Sequence, residues 1–219
     1  MKRILLPLSL LLLLALAAGC SAQGEAQLDP TMAQQLQIDE AMAATLAPGI
    51  QDVDVTDRGT DLTLHVRQTL GNDRELYVLY DVTLAGTVAL PAGEEGWFGP
   101  QTVTLQGVEE STARSGSVQT AFLDKERQTI TYLPYFSRGI PWPAGDLRLS
   151  VGDFVSDDTS LTQEVAEATW TPTNQGTILE GEIQTPAGET VGSVTLTPFS
   201  LSYTFTQGAQ PKMEEFGGT

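Results

Sequence analysis

The sequence predicts an all-β protein, an antiparallel β-sandwich preceded by one short N-terminal helix. Three observations predict it. From residue 50 onward, apolar residues recur at every second position in run after run, the period of a strand with one buried face and one wet face. Glycine and proline clusters such as Pro91-Ala92-Gly93, Pro141-Trp142-Pro143 and Pro186-Ala187-Gly188 separate most of the runs. Eight or nine short strands without intervening helices pair antiparallel, and hiding one face of each takes a second sheet or a closed barrel. Uneven strand lengths, long connections and two prolines within strand-like runs, Pro134 and Pro198, favour the open sandwich, since proline removes a donor from a closed ladder.

The chain begins with Lys2-Arg3, a leucine-rich stretch over 4–18 and then Gly19-Cys20. This is the charged, apolar, small-residue order of a secretory signal, and the apolar part is shorter than the ~20 residues a membrane-spanning helix needs. Its end, Leu16-Ala17-Ala18-Gly19-Cys20, resembles the lipobox of bacterial lipoproteins, with Ala17 where leucine is commonest. The resemblance implies that residues 1–19 are a lipoprotein signal peptide and that Cys20, the one cysteine of the chain, carries the lipid that attaches the protein to the outer face of the cell membrane. Residues 20–29, small and polar, are the expected tether.

The helix is expected over 30–47. Asp29 stands as its N-cap, Pro30 at its first position, Ile38, Met42 and Leu46 recur every four residues, and Pro48-Gly49 ends it. So thin an apolar stripe predicts packing against the end of a sheet. Residues 48–206 form the expected sandwich domain. Leu62, Leu64 and Val66 alternate with polar neighbours over 61–67, and Leu76, Val78, Tyr80, Val82 and Leu84 alternate over 74–84. Gly71-Asn72-Asp73 supplies the turn between them. A second hairpin joins 117–124 to 128–134 around Lys125-Glu126-Arg127, with Phe122, Ile130 and Tyr132 facing inward. Further strands are expected over 101–106, 146–151, 161–170, 177–184 and 191–206, and residues 207–219 read as a disordered tail.

Composition excludes several functions. With 11 basic residues against 28 acidic ones the net charge is −17, which argues against nucleic-acid binding because that takes a basic face. One cysteine and one histidine leave neither a disulfide framework nor a thiolate or histidine-rich metal site, and no cofactor is expected. An anionic leaflet repels so acidic a body, so the domain is expected to stand off the membrane on its tether.

Two longer segments carry a family resemblance. Residues 50–64, with Asp57-Arg58-Gly59 at the turn, followed by Asp73-Arg74-Glu75-Leu76-Tyr77-Val78-Leu79-Tyr80, resemble an extracytoplasmic domain of unknown function from Gram-positive bacteria. That domain is found outside the membrane in anti-sigma-factor-like proteins. Val191 to Leu201, with Thr197-Pro198-Phe199-Ser200, is similar to a strand of the companion C-terminal region. The resemblance implies an immunoglobulin-like or related sandwich with no established catalysis. The relatives carry a cytoplasmic sigma-binding module and a membrane helix, where this chain has a signal and Cys20, so a direct anti-sigma role is not expected; a sensory or regulatory component of such a system is the alternative.

The candidate sites follow from residue chemistry. Trp97, Phe98, Tyr135, Phe136 and Trp142 gather aromatic rings near two loops rich in glycine and proline, where exposed rings would meet an envelope protein or polymer and buried ones would plug the end of the sandwich. Asp52, Asp54 and Asp57 loosely resemble a calcium loop but lack its terminal bidentate glutamate; solvated edge charges are the plainer reading. His65 falls on a wet strand face without a G-x-S-x-G elbow. The expected function is therefore a non-enzymatic, lipid-anchored surface protein that binds through its loops, with a carboxylate-based glycan hydrolase as the remaining catalytic alternative.

Overall fold

A computed structural model of the chain describes residues 27–88, 98–106, 108–109, 120–124, 126–138, 140–156, 159–185 and 187–206. Thirteen strands are described in three antiparallel sheets. The first sheet has the order β1-β2-β3-β7-β6, with β1 Ile50–Arg58, β2 Leu62–Gly71, β3 Glu75–Leu84, β6 Thr120–Asp124 and β7 Thr129–Tyr132. β8, Tyr135–Ser137, pairs with the start of β3 while β7 pairs with its end. Pro134 breaks what would otherwise be one strand, and its carbonyl accepts from Val78 N–H at 3.1 Å. The second sheet has the order β10-β9-β4-β5, with β4 Phe98–Leu105, β5 Val108–Glu109, β9 Leu147–Ser156 and β10 Thr159–Trp170.

The expected all-β sandwich is what these two sheets make. The alternating set Leu62, Leu64 and Val66, with Leu76, Val78, Tyr80, Val82 and Leu84, meets Leu147, Leu149, Val151, Phe154, Ala168 and Trp170 in one buried core. A register shift between Val66 and Gln68 then turns β2 over, so that Leu70 joins Tyr77 and Leu79 on the opposite, outer face of the first sheet. A strand's period is two, and one irregularity reverses every later side chain.

That outer face is covered by the N-terminal helices. The single helix expected over 30–47 is two, α1 Pro30–Leu36 and α2 Glu40–Leu46, followed by a 3₁₀ turn at Ala47–Gly49. Gln37 takes a left-handed conformation at φ 55° and ends α1, and Asp39 Oδ1 then caps α2 by accepting from Met42 N–H at 2.8 Å. Expected caps at Asp29 and Pro30 are both in place. The helices lie on the face of the sheet, not its end: Met32 and Leu46 are buried against Leu70, Tyr77 and Leu79. Arg67 ties Asp29 to the sheet through an ion pair, and Gln68 accepts from Asp29 N–H at 2.8 Å while donating to Asp52 at 2.7 Å.

The last two expected strand runs leave the sandwich. Residues 171–178 cross the end of the β1–β2 pair without regular secondary structure, held where Gln51 bonds Thr171 and Thr173 and where Asn174 donates to Gly49 O at 2.7 Å. Gly176 passes so close to Gly71 that a Cβ there would stand 2.2 Å from its carbonyl oxygen. Beyond it, β11 Leu179–Gln184, β12 Thr190–Leu196 and β13 Leu201–Phe205 form the third sheet as a simple meander. Pro198 lies in its second turn, where Thr197 Oγ1 accepts from the N–H groups of Phe199 and Ser200.

Candidate binding surface

The residues singled out from the sequence do not converge. Cys20 and Trp97 lie outside the described residues, as does the side chain of Phe98. Phe136 and Trp142 are in the sandwich core, because the pairing of β8 with β3 turns Phe136 inward beside Leu76; neither ring is an exposed contact. Arg138 stacks its guanidinium 5.6 Å from the Trp142 ring. Tyr135 faces the opposite way, half-buried, 4.9 Å from the Tyr77 ring.

Asp52, Asp54 and Asp57 are spread along β1 and each has its own partner. Asp52 accepts from Gln68, Asp54, on the bulge at φ 51°, meets His65 Nε2 at 2.9 Å, and Asp57 accepts from Glu167 N–H at 2.9 Å. No group of three or more potential ligands gathers among the described residues, so the three aspartates form no calcium cage here. The strand begins at Ile50, and the loop needed for such a cage is ladder instead.

What the structure does build is apolar. α1 and α2 on one side and the third sheet on the other enclose a half-open cleft of about 540 Å³. Leu36, Ile38 and Met42 make the helical wall, Leu179, Leu196 and Phe199 the sheet wall, and Tyr77 belongs to the floor. Polar lining comes from threonines, Thr45, Thr177 and Thr197. The Ile38 and Met42 stripe was visible in the sequence as helix core; that its far side would remain open, with Met42 49% exposed, was not.

Buried polar groups fix the sheet wall to the floor. Glu75, buried at the start of β3, accepts from Ser200 Oγ at 2.8 Å, from Tyr135 OH and from Asn72 Nδ2 at 3.4 Å. Burial, and then the hydrogen bond and charge of Glu75, push the Tyr135 phenol well above its ordinary value. Arg74 pairs with Glu180 of β11 at 2.8 Å, and the Phe199 and Tyr77 rings form a T-shaped pair with centroids 5.3 Å apart.

The cleft opens onto one face of the third sheet. Leu179, Leu196 and Leu201 stand opposite one another across the three strands, and Val194 is flanked by Gly181 and Tyr203. By the two-residue period these share a face with Ile183 and Phe205, while Glu180, Glu182, Thr195, Ser193, Ser202 and Thr204 share the other. An amphipathic sheet normally hides its apolar side, yet Leu179 is 58% exposed, Leu201 63% and Tyr203 65%. Such a surface acts by burial, at roughly 25 cal/mol per Å² of apolar area covered.

No protein-family model, curated protein or solved structure matches this chain significantly. Among the described residues no helix is long and apolar enough to cross a membrane.

Proposed function

We propose that this chain is a lipid-anchored, extracytoplasmic binding module, non-enzymatic, whose partner is an envelope protein that docks on the cleft and on the adjoining apolar face of the third sheet. The observation that carries the reading is that continuous apolar surface, from Met42 and Leu179 to Leu201 and Tyr203. Contiguous exposed patches of this kind mark interaction sites. Leucine, methionine and aromatic walls suit a protein surface better than a glycan, which needs polar partners around its hydroxyl groups. The secretory signal order and the lipobox-like end at Cys20 support anchoring at the membrane, and a tether ahead of Gln27 would let the acidic body work away from it. Gln27, Leu28 and Asp29, expected within the tether, are held on the first sheet by Gln68, by apolar packing and by Arg67.

Two arms test this. Cys20→Ser should release the protein from the membrane fraction and abolish metabolic labelling by palmitate; retained labelling would remove the anchor. Capture from intact envelopes by the full chain should yield partners that Leu201→Asp and Leu179→Asp lose, and an unchanged set of partners would remove the binding surface.

A further inference from the structure

We infer that β13 is an accepting edge, which takes an extended strand from a cationic polypeptide by β-strand addition. The inference rests on the binding-module reading and names the kind of partner. Edge strands present a row of unpaired backbone groups, and proteins blunt them with charges, bulges, proline or brevity. The other described edges show such devices. β1 carries Asp52, Asp54, Asp57 and Arg58 with a bulge at Asp54. β10 carries Glu164 and Glu167 and two register shifts. β11 carries Glu180 and Glu182, β5 is two residues long, and β6 ends on Asp124.

β13 has none of these. Leu201-Ser202-Tyr203-Thr204-Phe205 holds no charge, no proline and no glycine, and pairs with β12 in unbroken register at the end of its sheet. Tyr203, Thr204 and Phe205 are of strand-forming type, and the Tyr203 and Phe205 rings stand 5.7 Å apart on the apolar side. A strand added here would gain main-chain hydrogen bonds, and its alternate side chains would extend the apolar face beside Leu201 and Tyr203.

Charge selects the partner. The third sheet and its two turns, residues 179–206, hold Glu180, Glu182 and Glu189 and no lysine, arginine or histidine, and of these three Glu180 is paired with Arg74. A second copy of this chain would bring the same negative charge to the edge, whereas a segment flanked by lysine or arginine would be drawn to it. The geometry therefore points to a basic, β-prone segment of another protein.

The test uses the full chain and a synthetic probe, a five-residue alternating valine–threonine peptide with two lysines at each end. Two companions accompany it, one flanked by glutamates and one N-methylated at alternate amides. By fluorescence anisotropy at low salt the lysine-flanked peptide should bind, the glutamate-flanked one at least tenfold more weakly, with the gap closing as salt rises. N-methylation and Tyr203→Lys should each weaken binding at least tenfold. By hydrogen exchange, the amides of Leu201, Tyr203 and Phe205, which alternate with those turned toward β12, should exchange freely in the chain alone and slow at least tenfold with the peptide. Equal binding of the N-methylated peptide, or of the glutamate-flanked one, would overturn the inference. So would protection of the Leu201, Tyr203 and Phe205 amides before any peptide is added, the sign that a second copy or residues 207–219 occupy the edge. If the peptide fails while envelope capture still depends on Leu179, the strand-accepting edge falls and the binding module stands; if both fail, both fall.

Discussion

The carboxylate of Glu164 lies against Gly59 so closely that a Cβ at residue 59 would stand 2.3 Å from its Oε1. From there it accepts three backbone hydrogen bonds, from Thr60 at 2.8 Å, Asp61 at 2.6 Å and Leu62 at 3.0 Å. Glu164 belongs to β10 of the second sheet, and the three amides belong to the β1–β2 turn and the first residue of β2 in the first. One side chain thus pins the two halves of the sandwich at a corner, and a methyl group at residue 59 would have to displace the carboxylate from that position.

The pH dependence of this contact has a definite sign. Hydrogen bonds from the three amides hold the Glu164 carboxyl below its ordinary value. A carboxyl depressed in the folded state contributes stability above the unfolded value, and that contribution is lost as pH falls through the folded value. Glu164→Gln should cost about 1 kcal/mol at neutral pH, a figure reduced by solvent screening at this accessible site, and the cost should shrink toward zero in acid. Gly59→Ala should resemble it, by displacing the same carboxylate. Denaturant unfolding from pH 7 to pH 2 checks both; a pH-independent loss would contradict the account.

At the alkaline end the same reasoning applies to Tyr135. Its phenol is raised in the fold, so it contributes stability below the unfolded value near 10.0 that is lost as pH rises through the folded one. In a spectrophotometric titration, Tyr135→Phe should remove one of the late-ionising tyrosines. Unfolding curves of the variant should be flatter with pH above about 10 than those of the parent chain.

Glu75 should be the most sensitive polar residue of the third sheet's attachment. Removing it strips the acceptor from Ser200, Tyr135 and Asn72 at once. Glu75→Ala should cost about 2–3 kcal/mol, and limited proteolysis should then cut first within 171–178. Ser200→Ala, which removes one bond, should cost about 1 kcal/mol and leave that segment resistant.

Leu201 and Tyr203 should behave in the opposite way. Both are mainly exposed, so Leu201→Asp and Tyr203→Asp should change stability by no more than about 0.5 kcal/mol. Binding of a hydrophobic dye to the folded chain should fall in each. A large loss of stability would mean that these side chains are buried in solution by a second copy or by another part of the chain.

Much of the fold can be read from alternation, because strands with one wet face announce themselves. The hairpin at Gly71-Asn72-Asp73 is legible in this way, its turn closed by Asn72 Oδ1 accepting from Arg74 and Glu75 N–H. The period fails where a strand is irregular. β1 is obscured by its bulge and by aspartates on its wet side, and the turnover of β2 after Val66 sends Leu70 to a second core that pattern alone assigns to the first. The break at Gln37 is hidden because glutamine is a good helix former that here adopts the left-handed conformation glycine would mark.

The candidate surface was illegible for a different reason. Leu179, Val194, Leu196, Leu201 and Tyr203 have the alternation of a buried strand, and alternation reports which residues share a face, not whether that face is covered. The aromatic residues of the proline-rich stretches are no guide to it, since pairing of β8 with β3 takes Phe136 inward. Only the crossing of 171–178, which needs Gly176 to pass over Gly71, carries the last three strands out of the sandwich.

The most direct test of the account is photo-crosslinking in intact cells. A benzophenone side chain placed at position 203, on the apolar face, should join the chain to a discrete envelope protein, while the same group at position 127, in the β6–β7 turn and far from the third sheet in the fold, should not. Crosslinks of equal yield from both positions, or a specific product from 127 alone, would contradict the claim that the third sheet is where this protein meets its partner.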